Sequence, residues 1–187
     1  MARWESGARE RLQRAALDLF DAQGFDHTTA ADIAAAAGLT ERTFFRYFGD
    51  KREALFSGHG VFEQMFVDGA VAVPPGRPPL EVIGAALQAA STFFPDERRD
   101  YSRRRDRVIA ADAGLREREL LKMANLARLL GETLRDRDVP EPGATLAAEL
   151  GVTVFRVGFA QWLAEGEDRS MGEILAGLLR ETSRLAA

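Results

Sequence analysis

Apolar residues in this chain recur at three- and four-residue steps from near its start to near its end. The two-residue alternation of a half-buried strand is nearly absent. Leu12, Ala15, Ala16, Leu19 and Phe20 set the pattern and predict a first amphipathic helix over about residues 5–23. Gly24 supplies its stop, and Phe25 folds back onto the core. Thr29, with Asp32 three residues on, makes a capping-box-like start for a second helix, Asp standing in for the usual Glu. That helix runs through Ile33 to Ala37 and ends at Gly38, because glycine takes the left-handed conformation without steric cost. Thr40 caps a third helix over 41–48. A fourth is expected over about 51–73, weakened by Gly58 and Gly60 and broken by the run Pro74-Pro75-Gly76-Arg77-Pro78-Pro79. Five further helices are expected over about 80–94, 98–112, 115–137, 144–164 and 170–186. The reading is an all-α chain of about nine helices, with a small N-terminal three-helix domain over 1–55 and a helical bundle over 56–187.

Composition removes several function classes. Cysteine is absent, so no disulfide, thiolate metal site or cysteine nucleophile can form. No apolar run approaches the length of a membrane span, and the charged start MARWESGARER is not a secretory signal, so a soluble, cytoplasmic protein with no membrane partner is expected. His27 and His59 lack the spacing of a shared metal site or a dyad. Gly58-His59-Gly60 fails as a dinucleotide fingerprint, because position 63 is glutamate and no strand precedes it. Phosphate-loop, nucleophile-elbow and zinc-protease motifs do not occur. Neither catalytic residues, nor a metal, nor a cofactor is expected.

The third helix carries the most pointed chemistry. At 100° per residue, Phe44 and Phe48 fall on one side with Glu41 and Phe45 at its border, while Arg42, Thr43 and Arg46 fall opposite and Tyr47 lies between. The apolar side suits packing on Leu19, Ile33, Leu39 and Leu55. The other side presents two guanidinium forks, which can pair bidentately with guanine O6/N7 or with phosphate, and a threonine whose methyl can meet a thymine methyl. Two helices around a glycine turn, the second with an outward basic face, form a helix-turn-helix whose recognition helix is 41–48. Net charge gives no support of its own, since residues 1–60 hold eight Lys/Arg against nine Asp/Glu. Any positive patch must come from local placement, with Arg42, Arg46, Lys51 and Arg52 the contributors.

Three runs carry a family resemblance: AALDLFDAQGF, TTAADIAAAAGLT and RTFFRYFGDKREAL. Through them, residues 9–55 resemble the N-terminal DNA-binding domain of the tetracycline-repressor (TetR) family of bacterial transcription regulators. The resemblance implies that Thr29 meets backbone phosphate, that Thr40, Glu41, Arg42, Thr43, Phe45, Arg46 and Tyr47 face DNA, and that Lys51 is a phosphate-binding lysine. Two positions depart from the family pattern. Phe45 stands where tyrosine is usual and lacks the phosphate-reaching hydroxyl, which Tyr47, at a position often histidine, could restore from next door. Glu41 is unusual for a groove-facing site; it can accept from cytosine N4 or complement the helix N-terminus.

Residues 98–107, RRDYSRRRDR, hold six arginines, read as a solvated face partly neutralised by neighbouring acids, with an anion site as the alternative. The C-terminal half, with VIAADAGLRERELLK and AAELGVTVFRVGFAQWL, resembles actinobacterial family members that sense acyl-coenzyme A-like molecules. Under that resemblance Phe62, Met65, Phe66, Phe93, Met123, Phe155, Phe159 and Trp162 line an apolar effector pocket. The family's dimer interface would fall on the last two helices, where Leu146, Leu150, Val154 and Val157, and Ile174, Leu175, Leu178 and Leu179, recur at helical spacing. The expected function is a homodimeric regulator, a repressor released from a palindromic double-stranded operator by a small apolar or acyl-CoA-like effector. The alternative is a helical ligand-binding or interaction protein whose helix-turn-helix is only structural.

Overall fold

The structure, a computed structural model, describes residues 2–185. Among the described residues there are ten α-helices, one 3-10 turn and no strand. The first three helices are α1 (Ala2–Gln23), α2 (Ala30–Ala36) and α3 (Glu41–Tyr47). The expected fourth helix is two, α4 (Lys51–Phe56) and α5 (His59–Val71). Gly58 is the reason: it adopts φ +89°, a left-handed conformation that a right-handed helix cannot contain. Then follow α6 (Pro79–Ser91), a 3-10 turn at Asp96–Arg98, α7 (Arg99–Ala111), α8 (Ala113–Arg135), α9 (Gly143–Leu163) and α10 (Met171–Leu185). Ala186, the expected last helical residue, lies outside the described residues.

The chain folds into two compact units. One ends at Gly58 and resumes over Tyr101–Arg118; the other comprises His59–Asp100 and the chain from Glu119 onward. In the first unit, Leu12, Ala16, Phe20, Ile33, Phe44, Phe48 and Leu55 form a buried cluster that Val108, Ile109 and Leu115 complete. The second segment is also fastened by charge. Arg104 donates to Asp18 at 2.7 Å and to Asp21 at 2.9 Å, and Arg107 approaches Asp21 at 3.4 Å. The Arg104 hydrogen bond holds the Asp21 carboxyl below its usual range, with Arg107's charge adding to it.

In the second unit, α5, α6, α9 and α10 pack with α8 around one core that includes Phe62, Phe66, Ile83, Leu87, Leu126, Leu130, Phe155 and Trp162. By length and composition alone α9 could cross a bilayer, contrary to the expectation that no such run exists. Its buried residues, among them Ala148, Val152, Phe155 and Trp162, make it the core helix of this unit. Helices α5 and α6 meet almost backbone to backbone at Gly69. A Cβ there would stand 2.6 Å from the Ala89 Cβ and 2.8 Å from the Ala85 carbonyl oxygen. Alanine in place of glycine gains up to about 1 kcal/mol of helix propensity, but overpacking against fixed backbone costs about 1–3 kcal/mol. The clash wins. Gly69→Ala is therefore expected to lower the thermal midpoint by several degrees in circular dichroism, at about 2–4 °C per kcal/mol for a chain of this size. A midpoint equal to or above that of the parent protein would show that the helices can part without cost.

Candidate nucleic-acid interface

Each element of the helix-turn-helix is set by a local hydrogen bond. Thr29 caps α2: its hydroxyl oxygen accepts from the Asp32 backbone N–H at 3.1 Å, and the Asp32 carboxylate accepts from the Thr29 N–H at 2.9 Å. The Thr29 hydroxyl also donates to the same carboxylate at 2.6 Å. These bonds, the hydroxyl's first, hold the Asp32 carboxyl below its ordinary value. At the other end of α2, the Leu39 N–H reaches the Ala34 carbonyl at 2.8 Å and the Gly38 N–H the Ala35 carbonyl at 3.0 Å. This is a Schellman pairing, and it requires the φ of +67° at Gly38. Thr40 then caps α3, accepting from the Thr43 N–H at 3.2 Å. The turn between the helices is thus held by caps and a left-handed glycine together.

Helix α3 presents its faces as its periodicity predicts. Phe44 and Phe48 are buried, and their rings meet at 5.3 Å. Glu41, Arg42, Phe45 and Arg46 are exposed, with Thr43 and Tyr47 half-buried. Phe45 keeps 53% of its surface exposed and stands edge-on against Phe44 at 5.4 Å and 89°, so it is braced from beneath. Arg46 is pre-oriented: its guanidinium lies 5.0 Å from the Tyr47 ring centroid and donates to the Tyr47 hydroxyl at 3.2 Å. The Thr40 and Thr43 hydroxyls pair at 3.0 Å on the same rim.

Lys51 has a structural task that its position in the chain does not reveal. Its ammonium donates to the Phe25 carbonyl at 2.7 Å and the Thr28 carbonyl at 3.0 Å, and lies 4.2 Å from the Phe25 ring centroid. Three N–H donors on an ammonium leave one for a phosphate. Charge-assisted bonds of this kind contribute about 1.5–3 kcal/mol each where buried. Lys51→Met is therefore expected to lower stability in urea by about 1–2 kcal/mol with no DNA present, this site being half-buried. A lysine that serves only as a phosphate anchor would leave that midpoint where it was. Thr29 is constrained in a similar way, because its hydroxyl must leave Asp32 before it can donate to a phosphate. Beside α3, Arg9 lies 5.6 Å from the Phe48 ring centroid. It adds a cation to this neighbourhood from a distant point in the sequence, which no local motif announces.

Residues 12–57 match the family described as bacterial regulatory proteins, tetR family. That stretch of the chain is similar to the TetR family. Among curated relatives, the HTH-type transcriptional regulator TcmR of Streptomyces glaucescens is 38% identical over 81 residues, which is 43% of this chain and 36% of that protein. The chain thus spans about a third of the length of that relative. Among solved structures, a TetR-family regulator from Syntrophomonas wolfei superposes with TM-score 0.67 at 17% identity, over 96% of this chain and 94% of that one. Thermus thermophilus FadR, a TetR-family transcriptional repressor in complex with lauroyl-CoA, gives TM-score 0.53 at 22% identity, over 92% and 91% of the two chains. Both likenesses place the second unit within the TetR all-α fold.

In the second unit, the eight residues expected to line an effector pocket all join one core. Phe62, Phe66, Met123, Phe155 and Trp162 are buried, with Met65, Phe93 and Phe159 packed against them. Phe94, which the periodicity did not single out, ties the group together: its ring lies within 6 Å of Phe62, Phe93, Phe155, Phe159 and Trp162. The expected dimer residues divide. Leu146 and Val157 are exposed, and Leu150, Leu178 and Leu179 half-buried, whereas Val154, Ile174 and Leu175 lie inside the unit's own core with no surface left for a partner. A helix that packs on its own core and a helix that packs on a second subunit need the same apolar spacing, so periodicity cannot separate them.

The arginines of 98–107 are engaged within the chain. Arg104 and Arg107 pair with Asp18 and Asp21. Arg105 donates to the Leu55 carbonyl at 3.3 Å and lies 5.1 Å from the Phe56 ring centroid. Arg98 donates to the Phe93 carbonyl at 3.3 Å, Arg99 is buried among its partners, and Arg103 is also engaged.

Proposed function

We propose that this protein is a TetR-family DNA-binding transcriptional regulator that acts as a repressor. The observation that carries the reading is α3 itself, a capped helix whose rim of Glu41, Arg42, Phe45 and Arg46 stays exposed above the core. Arg42 and Arg46 read base edges with Thr43, while Thr29, Thr40, Tyr47 and Lys51 position the helix against phosphates. Phe45 offers a ring without a hydroxyl, suited to apolar contact with a thymine methyl, and Glu41 takes the cytosine amine or the helix N-terminus. Two subunits joined through the exposed apolar face of α9, where Leu146 and Val157 stand, would set two recognition helices roughly 34–36 Å apart on a palindromic operator. Residues 1–55 carry the DNA-reading helices, and the unit of His59–Asp100 and the chain from Glu119 onward carries the effector and dimer functions, in the cytoplasm. An effector held by the aromatic core favours a spacing that no longer fits the operator, and DNA binding falls as a population shift. The lauroyl-CoA of the FadR complex supports an apolar, acyl-CoA-like effector as one form of this reading.

Fluorescence anisotropy on fragments from upstream of the protein's own gene tests the proposal. Binding is expected to be sequence-dependent, to require both halves of a palindrome, and to weaken linearly with log salt as several phosphate contacts are lost. Equal affinity for any duplex would leave a helical ligand-binding protein whose helix-turn-helix is only structural.

A further inference from the structure

Two buried N–H donors in the second unit have no acceptor: Nε1 of Trp162 and Nε of Arg99. Trp162 is fully buried and Arg99 is 8% exposed. They belong to one contact, the guanidinium lying 5.0 Å from the indole centroid. The rest of the Arg99 head is firmly held. It donates to the Asp96 carboxylate at 2.7 Å, to the Arg169 carbonyl at 2.8 Å and to the Glu167 carbonyl. Arg99 is therefore held in place, while its Nε–H and the Trp162 N–H keep donor capacity that those bonds do not use.

The neighbours of the Trp162 ring are aromatic. The Trp162 ring touches Phe94 at 5.7 Å and Phe159 at 6.0 Å, and Phe94 continues to Phe93 at 5.3 Å. Phe93, Phe94 and Phe159 are only half-buried, so the aromatic cluster around Trp162 reaches solvent. Flat rings of this kind accept another ring by offset or edge contact.

Charge decides what kind of acceptor fits. The Arg99 cation is matched by Asp96, and Arg169 by Glu167 at 2.5 Å, a pairing that draws the Glu167 carboxyl down to about 2. Residues 96–100 and 167–173 together hold three arginines against six carboxylates, the last four being Glu97, Asp100, Asp168 and Glu173. An incoming carboxylate or phosphate would meet a net negative surround, whereas a neutral carbonyl meets only the donors. We infer that the Trp162–Arg99 corner receives a neutral aromatic carbonyl compound, its rings on Phe94 and Phe159 and its oxygen on the indole N–H. The inference rests on reading the second unit as the effector unit and names the chemical class of its ligand, one that differs from acyl-CoA.

Calorimetric titration of the full chain with a matched series tests it: 2-acetylnaphthalene, 2-ethylnaphthalene with no acceptor, 2-naphthoate with a charged one, and lauroyl-CoA. The ketone is expected to bind about tenfold more tightly than ethylnaphthalene, the worth of one buried hydrogen bond. Trp162→Phe keeps a ring and removes the donor, so it should erase that ratio and leave ethylnaphthalene binding as it was. An unchanged ratio in Trp162→Phe, tighter binding of naphthoate or lauroyl-CoA, or no heat from any compound at about 100 µM, a weak-affinity ceiling, would each overturn the assignment. A measurement on the parent protein covers the case in which the variant does not fold. Of its two indole N–H resonances, the one that survives in Trp4→Phe should move downfield with the ketone and not with ethylnaphthalene; equal shifts with both would overturn the proposal. Binding to the promoter fragment, measured without ligand, keeps the two readings apart. DNA binding without ketone binding defeats only the ligand class, and ketone binding without DNA binding defeats only the regulator.

Discussion

Replacing Phe44 by alanine is expected to cost the first unit about 3–5 kcal/mol, the range for deleting a buried aromatic ring. Phe44 has no exposed surface, meets the Phe48 ring at 5.3 Å, and sits in the cluster with Leu12, Phe20, Ile33 and Leu55. A domain's whole stability is about 5–15 kcal/mol, so a loss of this size removes a large share of what holds the unit folded. Urea unfolding followed by circular dichroism should show an early transition that the parent protein lacks, and operator binding should vanish with it. The neighbouring residue is the control. Phe45 is half-exposed and touches the core only by its edge on Phe44, so Phe45→Ala should leave the urea midpoint nearly in place. If Phe44→Ala shifted stability by less than about 1 kcal/mol, α3 would not be anchored through that ring, and the pre-set rim above it would lose its support.

The contrast between Phe44 and Phe45 was legible in the sequence, and so were both caps. Each depends on residues three or four apart, the distance at which helix periodicity and capping operate. Thr29 with Asp32, Thr40 with Thr43 and the left-handed Gly38 all fall within that reach. What escaped was long-range or conformational. Val108, Ile109 and Leu115 complete the first unit's core from far along the chain, and their spacing is that of any amphipathic helix. Gly58 could have been a tolerated helix glycine like Gly60; nothing local told which of the two would turn left-handed. Lys51 reads as a cation at a helix start, and only the fold brings the Phe25 and Thr28 carbonyls to it. In the second unit, Val154 and Val157 are indistinguishable in the pattern, yet one is buried and the other 51% exposed.

Arg42→Ala and Arg46→Ala together are expected to lower operator affinity by roughly two to four powers of ten, since each base-reading guanidinium is worth about 1–3 kcal/mol. The way each loss depends on salt and sequence tells what each residue touches. A phosphate contact, once removed, weakens every duplex alike and reduces the slope of log affinity against log salt by about one. A base contact relaxes preference at a single position and leaves the penalty at other positions intact. Arg46 should behave in the second way, because its stacking on Tyr47 and its 3.2 Å bond to the Tyr47 hydroxyl fix its direction before DNA arrives. Arg46→Lys should then lose nearly as much as Arg46→Ala, as an ammonium cannot form the bidentate pair. Tyr47→Phe should cost much less, since the ring that aligns the guanidinium remains. Anisotropy titrations on single-base operator variants at three salt concentrations separate these outcomes. If both single alanine variants bound within about twofold of the parent protein, below the effect of even one base contact, the rim of α3 would not be the surface that reads DNA, whatever its resemblance to one that does.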